Sequence, residues 1–403
     1  MKTESSLDAR VLEAVKHAAI DQRPVTGGTH EFYRHPARFA PTFARTVIEA
    51  FTEPGDLVFD PFVGGGTTLV EAHMLGRPSI GFDINPLAIF VSEAKTTLYS
   101  TQALREVEAW RLKIPRVLNA HRKSHTEAFW IDEGYLRNFQ STETWALRKL
   151  IAQALTSLNA LSEKPRRLAR CAILRTAQWA VDLRDELPSA EEFRKALDES
   201  VLAMASAARQ YRQIIRSLPF DAVERDALRP VVATRSAERA HRARQFATRG
   251  TPRLVLTSPP YPGVYVLYHR WKLHARKETP LPYWIANSLD GRGISHYILG
   301  PRLEPDLKQY FENLQESFSS VASVADAETW FVQVVGFSNP EQQLPRYLAT
   351  LEDAGLSERT FDAIATADDG RLWRRVPGRR WFAKMQESAA NTAREVVLFH
   401  RLG

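Results

Sequence analysis

The sequence of 403 residues has little cysteine and lacks any long apolar run. Its single thiol, Cys171, excludes an internal disulfide and a cysteine-ligated zinc site, and it is typical of a reducing compartment. Residues 1–23 mix charges throughout and do not resemble a secretory signal, and no apolar stretch is long enough to span a bilayer. These absences predict a cytoplasmic protein that does not enter a membrane.

The rest of the composition is typical of a globular protein with a basic surface. Hydrophobic residues make up 44% and charged residues 25%, which excludes a disordered chain. The 54 basic and 47 acidic residues give a net charge of +7, and arginine outnumbers lysine. Arginine suits bidentate contacts with phosphates and base edges, but a basic charge alone leaves nucleic-acid binding open.

The chain divides into three regions by pattern. Residues 1–30 contain one short helical segment, and residues 101–227 are almost entirely helical in pattern, which predicts a helical insert. Residues 31–100 and 228–403 alternate strand-like and helical runs, which predicts a doubly wound, mostly parallel α/β sheet closed by an antiparallel hairpin. Within the insert, we expect three tryptophans to form the core: Trp130, Trp145 and Trp179.

The predicted strands are short and separated by helical patterns. Apolar runs predict strands at 57–60, 79–82, 230–233, 253–257 and 329–335, and a closing pair at 380–383 and 394–400. Amphipathic patterns predict helices at 43–51, 67–75, 306–325 and 342–354.

A glycine-rich loop follows the first of these strands: Asp60-Pro61-Phe62-Val63-Gly64-Gly65-Gly66-Thr67-Thr68. Its three glycines permit positive φ and would let a ligand approach main-chain amides. The loop lacks the Gly-Lys-Ser/Thr of a P-loop, so we do not expect triphosphate hydrolysis. The carboxylate of Asp60 would repel a pyrophosphate but attract an ammonium or a sulfonium.

A second acid, Asp83, follows the second strand in Gly81-Phe82-Asp83-Ile84-Asn85-Pro86. A carboxylate at this point can accept hydrogen bonds from the two hydroxyls of a ribose. A positively charged nucleoside satisfies both acids, and S-adenosylmethionine is the candidate. The alternative is that the glycines form only a tight turn and that Asp83 caps a helix.

The segment Thr257-Ser258-Pro259-Pro260-Tyr261 directly follows another predicted buried strand. Two prolines hold the chain extended. The Ser258 hydroxyl and the Pro259 carbonyl are placed to accept the two hydrogens of a planar exocyclic amine. Tyr261 offers a face on which an extruded base can stack. The alternative is a rigid proline turn with a tyrosine in the core.

Together, the glycine-rich loop and the Ser-Pro-Pro-Tyr segment resemble the S-adenosylmethionine-dependent DNA amino-methyltransferases, which make N4-methylcytosine or N6-methyladenine. The resemblance implies a Rossmann-like class I methyltransferase fold, DNA as the partner, base flipping, a monomer or dimer, and a possible cognate restriction system. Residues 33–41 are similar to the segment that covers the methionine end of the cofactor in related enzymes. By this resemblance the catalytic residues are Ser258, Pro259, Pro260 and Tyr261, and the cofactor-binding residues are Tyr33, Phe39, Asp60, Pro61, Phe62, Gly64, Gly66, Thr67, Thr68, Asp83, Ile84 and Asn85.

In that family, serine at the first position of the Ser-Pro-Pro-Tyr segment accompanies N4-cytosine specificity more often than N6-adenine specificity. We therefore expect a site-specific cytosine-N4 DNA methyltransferase. The alternatives are an N6-adenine enzyme, an RNA amino-methyltransferase, and a non-catalytic DNA-binding protein with this fold. Methylation at cytosine C5 needs a thiolate nucleophile, and the only cysteine, Cys171, lies in a helical run that indicates a buried position. We therefore expect the methyl acceptor to be an exocyclic nitrogen and not C5.

Candidate DNA contacts follow the Ser-Pro-Pro-Tyr segment, where aromatic residues alternate with cations. We single out Tyr265, His269, Arg270, Lys272 and, in a basic loop, Arg292. The alternative for 265–272 is an amphipathic helix whose aromatics pack inward. The insert is a second candidate for target recognition. His121 and His125 have a ligand-like spacing but no evident third ligand, so no metal is expected.

Overall fold

A computed structural model of the chain describes residues 2–3, 8–21, 23, 27–35, 40–124, 126–263, 270–289, 297–301, 304–375 and 394–403. Its centre is a twisted sheet of nine described strands. In chain order these are β1 Lys2–Thr3, β2 Val58–Asp60, β3 Ser79–Asp83, β4 Val231–Thr234, β5 Leu254–Thr257, β8 Trp330–Gly336, β9 Leu356–Thr360, β10 Leu372–Arg375 and β11 Arg394–Leu402, while β6 Trp271–Leu273 and β7 Lys277–Thr279 form a separate antiparallel pair.

The strand order is β1-β9-β11-β8-β5-β2-β3-β4, with β10 beside β11. Strands β4, β3, β2, β5 and β8 are parallel, and β11 is antiparallel to β8, β9 and β10. The chain moves outward from β2 through β3 to β4, then restarts at β5 and moves the other way. This doubly wound, Rossmann-like arrangement confirms the predicted fold class, and its point of reversal lies between β2 and β5.

Helices cover both faces of the sheet, which explains why its central strands are apolar on both sides. On one face, the helices Ala9–Ile20 and Pro41–Phe51 pack on Val58, Leu254 and Val332. On the other face, the helices Lys308–Ala322 and Pro340–Asp353 pack on Phe59, Val255 and Phe331. The helices are α1 Ala9–Ile20, α2 Pro41–Phe51, α3 Thr67–Met74, α4 Pro86–Thr96, α5 Thr101–Arg111, α6 Ile114–Val117, α7 Ala128–Asp132, α8 Trp145–Ser157, α9 Glu163–Val181, α10 Ala190–Ser217, α11 Ala222–Ala227, α12 Arg244–Arg249, α13 Leu281–Ala286, α14 Lys308–Ala322 and α15 Pro340–Asp353.

Residues 101–227 form helices α5 to α11, and α5 to α10 share a third apolar core with α4 and α13. Trp130 is 6% exposed and belongs to this core, as expected. Trp145 and Trp179 are 45% and 38% exposed, so the prediction that they are core residues is wrong. Each packs instead against a surface cation, Lys149 and Arg184 respectively.

The sheet ends in an antiparallel pair of strands, as the predicted fold class has it. Strand β11 pairs with β10, with Leu372 opposite Val397 and Arg375 opposite Arg394. The predicted partner strand, residues 380–383, lies outside the described residues. Among the described helices, none combines the length and apolar composition needed to cross a bilayer.

Candidate active site

The glycine-rich loop and the Ser-Pro-Pro-Tyr segment leave neighbouring strands at the same edge of the sheet. Strands β2 and β5 are parallel, with Val58 opposite Leu254 and Phe59 opposite Val255. The hydroxyl of Thr257, at the end of β5, donates a 2.7 Å hydrogen bond to the Asp60 carboxylate at the end of β2. Two stretches 197 residues apart in the chain therefore meet where the strand order reverses, which is where α/β sheets bind ligands.

Asp60 joins the two stretches. It is 3% exposed. One of its oxygens, Oδ2, accepts a 2.7 Å hydrogen bond from Thr68 at the start of α3. The other, Oδ1, accepts the bond from Thr257 and a 3.2 Å bond from the Phe62 amide. Burial raises the pKa of Asp60 to about 6, although these hydrogen bonds favour its charged form. This bracing arrangement is not evident from the sequence, which indicates only a charge that could attract a ligand.

The Asp83 carboxylate can accept hydrogen bonds beyond those it receives from the backbone. Its Oδ2 accepts the Gly64 amide and its Oδ1 the Asn85 amide, each at 2.9 Å. A carboxylate has about four acceptor positions, and the backbone amides do not fill all of them, so capacity remains for a ribose hydroxyl. Burial raises the pKa of Asp83 to about 6, which leaves it charged at neutral pH. The alternative that Asp83 caps a helix is wrong, because Asn85 caps α4 by accepting from the Leu87 amide.

The glycines fit close protein contacts as well as positive φ. Gly64 and Gly66 have φ of +46° and +76°. A Cβ on Gly65 would lie 2.9 Å from the His35 side chain, and a Cβ on Gly66 would lie 3.1 Å from the Ser92 backbone. The space that Cβ atoms on Gly65 and Gly66 would occupy is therefore filled by His35 and Ser92. From the sequence alone, we expect a ligand to use that space.

Two further side chains fix the surroundings of this loop. Lys95 is fully buried and donates a 2.6 Å hydrogen bond to the Gly65 carbonyl. On the His35 side of the loop, Gln178 of α9 binds the backbone of Arg34. Its side-chain amide accepts from the Arg34 N–H at 3.1 Å and donates to the Arg34 carbonyl at 2.9 Å. These two hydrogen bonds fix the residue before His35, so a helix of the predicted insert positions a side chain that lies against the glycines.

The Ser-Pro-Pro-Tyr segment is held by hydrogen bonds to side chains. Tyr310 of α14 donates a 2.7 Å bond to the Pro260 carbonyl. Tyr261 donates a 2.8 Å bond to Glu395 of β11, and its hydroxyl lies 3.3 Å from Ser258 Oγ. Ser258 and Tyr261 are half-buried, so they lie at the surface of the sheet edge and not inside the core.

The other predicted cofactor residues have varied positions. Tyr33 is fully buried and its hydroxyl accepts from the Trp271 indole at 3.1 Å, so its side chain belongs to the helical core. Thr67 Oγ1 is buried without a hydrogen-bond partner among the described residues. Ile84 is half-buried against the helical core. Pro61 and Thr68 are buried, Phe62 packs beside Phe318, and Phe39 lies outside the described residues.

Of the five predicted DNA contacts, the structure describes two, Arg270 and Lys272, and neither is an exposed cation. Arg270 is 4% exposed, so it is not an exposed basic side chain. Lys272 is half-buried in β6, where burial lowers its pKa. The region near it forms a strand, and the predicted amphipathic helix is not found at 270–273. Tyr265, His269 and Arg292 lie outside the described residues.

A basic run near the C-terminus is paired internally. Arg371 forms hydrogen bonds with both oxygens of Glu358, at 2.7 and 2.8 Å. Arg374 is 6% exposed, and two of its nitrogens donate to one oxygen of Glu395, Oε2. Both cations are therefore engaged by carboxylates of the sheet and are not free surface charges. Within the described part of the chain, no cluster of His, Cys, Asp and Glu is suited to hold a metal ion.

Comparisons with known proteins find similarity in one part of the chain. Residues 14–93 match the family model described as DNA methylase. Type II methyltransferase M.MjaII of Methanocaldococcus jannaschii is 31% identical over 88 residues, or 22% of this chain and 17% of that protein. M.MvaI of Kocuria varians is 40% identical over 72 residues, covering 17% and 16%. M.BamHI of Bacillus amyloliquefaciens is 32% identical over 95 residues, covering 23% and 22%.

These similarities are confined to less than a quarter of the chain and of each relative. The solved rRNA methyltransferase aviRa from Streptomyces viridochromogenes aligns with 82% of this chain and 83% of its own, but at 14% identity and a TM-score of 0.33. A score this low does not by itself indicate a common fold. The family model and the type II relatives thus show similarity to DNA methyltransferases in one part of this chain.

Proposed function

We propose that this protein is a site-specific DNA methyltransferase that moves a methyl group from S-adenosylmethionine to the exocyclic N4 of a flipped cytosine. The observation that carries the proposal is the pair of hydrogen bonds from Thr68 and Thr257 to Asp60. They bring the candidate cofactor loop and the candidate amine-binding segment to one edge of the sheet. A donor and an acceptor of a methyl group must meet in this way.

The cofactor side of the proposal rests on Asp83 and the start of α3. S-adenosylmethionine supplies an activated methyl group on a cationic sulfur. The remaining acceptor capacity of Asp83 fits a ribose hydroxyl of this cofactor, and the unpartnered hydroxyl of Thr67 offers a further polar contact. The charges of Asp60 and Asp83 at neutral pH favour a cation over a phosphate.

The base side rests on Ser258, Pro259 and Tyr261. The Ser258 hydroxyl and Pro259 carbonyl accept the two amine hydrogens and orient the nitrogen lone pair toward the methyl carbon. Bound S-adenosylmethionine would supply the methyl group: the amine nitrogen would bond to the methyl carbon as the C–S electron pair stays on sulfur, and the methylated amine would lose one proton to solvent. Tyr261 packs against the extruded base, and base–aromatic stacking is worth about 1–3 kcal/mol.

The division of labour in the chain is part of the proposal. Residues 31–100 and 228–403 form the methyltransferase domain, and residues 101–227 recognise the target. In support, α10 of that helical segment contacts α3 directly through a 2.6 Å hydrogen bond between Tyr211 and His73. DNA bound by the helical segment would therefore lie close to the helix that follows the glycine-rich loop.

Nucleoside mass spectrometry tests the proposal. Purified protein incubated with isotopically labelled S-adenosylmethionine and mixed-sequence duplex DNA is expected to yield labelled N4-methylcytosine. Labelled N6-methyladenine would replace cytosine by adenine as the target, and label found only in RNA would overturn the assignment to DNA. Cofactor and DNA binding without any labelled base would indicate a non-catalytic DNA-binding protein.

Binding measurements at several salt concentrations test the DNA part separately. DNA affinity is expected to fall steeply as salt rises, because neutralised phosphates release their counterions. An affinity that does not change with salt would contradict a phosphate-contacting surface.

A further inference from the structure

A chain of hydrogen bonds leads from the sheet to Ser258. Arg374 of β10 donates to Glu395 Oε2 through Nε at 3.0 Å and Nη2 at 2.7 Å. Tyr261 donates to the other oxygen, Oε1, at 2.8 Å, and Ser258 Oγ lies 3.3 Å from the Tyr261 hydroxyl. The side chains of Arg374 and Glu395 are each 5% exposed, so water does not compete strongly for this pair.

The register of the strands builds this chain. Glu395 lies opposite Arg374 on β10 and opposite Gly336 on β8. The Tyr261 ring packs over Gly336, where a Cβ would lie 2.8 Å from the ring. A glycine at this point of β8 leaves the space in which the tyrosine reaches Glu395. The terminal antiparallel strands thus contact the candidate amine-binding segment directly.

The chemistry of the four groups fixes the direction of the chain. A guanidinium only donates and a carboxylate only accepts, so the single phenolic proton of Tyr261 points to Glu395. The Tyr261 oxygen is then available only as an acceptor, and the Ser258 proton points toward it. Among the described residues, no donor occupies the lone pairs of Ser258 Oγ, and these lone pairs are what an amine N–H needs.

We propose that Glu395 is a positioning residue that, through Tyr261, turns the Ser258 hydroxyl so that it accepts a hydrogen bond from the target amine. The inference rests on the proposed function, since it assigns the origin of an orientation that the methyl transfer requires. Arg374 holds the Glu395 carboxylate in place and makes no contact with Ser258.

Replacing Glu395 by glutamine tests the direction of the chain. The glutamine amide can donate to the Tyr261 oxygen, which frees the phenolic proton to point toward Ser258 and removes the fixed orientation. We expect Glu395→Gln to lower the single-turnover rate of methyl transfer about tenfold, the effect of one hydrogen bond, with cofactor affinity unchanged. Tyr261→Phe should give a similar loss, and the double variant should lose little more.

Glu358→Gln is the matched control. Glu358 of β9 forms a bidentate pair with Arg371 and lies opposite His400, five residues along β11 from Glu395. Among the described residues, no hydrogen bond links that pair to Ser258. Both glutamine variants should lower the melting temperature, but only Glu395→Gln should lower the rate. Losses that multiply in the Glu395→Gln/Tyr261→Phe variant, or equal rates in the two glutamine variants, would overturn the inference.

Tyr261→Phe keeps the test available if Glu395→Gln does not fold, because it leaves the Arg374–Glu395 pair intact. Its effect should disappear in a Ser258→Ala background, and an undiminished effect there would overturn the inference. A wild-type protein that methylates no base contradicts the proposed function itself. A wild-type protein that methylates DNA while these variants act independently contradicts only the role of Glu395.

Discussion

The two loops of the candidate site are made rigid in different ways. The glycine-rich loop depends on the absence of side chains, because His35 and Ser92 occupy the space beside Gly65 and Gly66. The Ser-Pro-Pro-Tyr segment depends on side chains, because hydrogen bonds from Tyr310 and to Glu395 hold it in place. The first loop should therefore fail when atoms are added, and the second when single polar atoms are removed.

The largest expected effect is on the stability of the glycine-rich loop. Gly66→Ala forces an L-residue into positive φ, at about 1–2 kcal/mol, and crowds Ser92, at about 1–3 kcal/mol more. We expect a loss of about 2–5 kcal/mol in the free energy of unfolding, measured by chemical denaturation. The control Gly55→Ala also has positive φ but open space around it, so it should lose only the smaller first part. Equal losses at the two positions would remove packing from the explanation.

The second effect is on the rate in the other loop. Ser258→Ala removes one acceptor of the amine and should lower the single-turnover rate of methyl transfer about 100-fold, by comparison with other oriented active-site hydrogen bonds. Its melting temperature should barely change, since Ser258 is half-buried. The control is Ser338→Ala, which removes a hydroxyl 3.4 Å from the Pro262 carbonyl. A similar loss of rate in both variants would contradict a specific role for Ser258.

The third effect is the pH dependence of stability caused by Asp60, which is hydrogen-bonded to both loops. Burial raises the pKa of Asp60 to about 6, above the ordinary value of 3.8. The folded state therefore binds the proton more tightly, so this contribution to stability is full below pH 4 and is lost as pH rises through about 6. Asp60→Asn has no such titration. The wild-type minus variant difference in unfolding free energy should fall by about 2–3 kcal/mol between pH 4 and pH 7.

Denaturation curves of wild type and Asp60→Asn at several pH values provide the measurement. Asp83 titrates in both proteins and largely cancels from the difference. A difference that rises with pH would mean that the hydrogen bonds to Asp60 outweigh its burial.

The smallest expected effect isolates the link between the loops. Thr257→Val keeps the shape of the side chain but removes the 2.7 Å hydrogen bond to Asp60. Because Thr68 and the Phe62 amide still donate to the carboxylate, we expect a loss of about 1.5 kcal/mol at pH 7. The loss should shrink below pH 5, where Asp60 is protonated. A loss independent of pH would show that the bond to the charged carboxylate is not what Thr257 contributes.

Local signals in the sequence were sufficient for much of the fold. Apolar runs bounded by glycine or proline predict β2, β3, β5 and β8 to within about one residue of their observed positions. The neighbouring positions of the two loops follow from such signals because parallel strands share an edge. The short strands β6, β7, β9 and β10 were not predicted, since their polar residues give no regular apolar alternation.

Contacts between distant residues explain what the sequence did not indicate. Arg374 lies in a charged run typical of a solvated surface, yet Glu395 across the sheet pairs with it and allows its burial. Gln178 reaches Arg34 across 144 residues, and the two have no local pattern in common. Tyr33 is part of a helical core because Trp271, far along the chain, supplies the partner for its hydroxyl.

The pairing of β2 with β5 also has a consequence for biosynthesis. Asp60 is made 197 residues before Thr257, and the intervening segment includes all of α5 to α11. At translation rates of 5–20 residues per second, the first strand waits about 10–40 seconds for its neighbour. During that interval the apolar edge of β2 has no partner on the β5 side, and a nascent chain exposes it to chaperones or to aggregation.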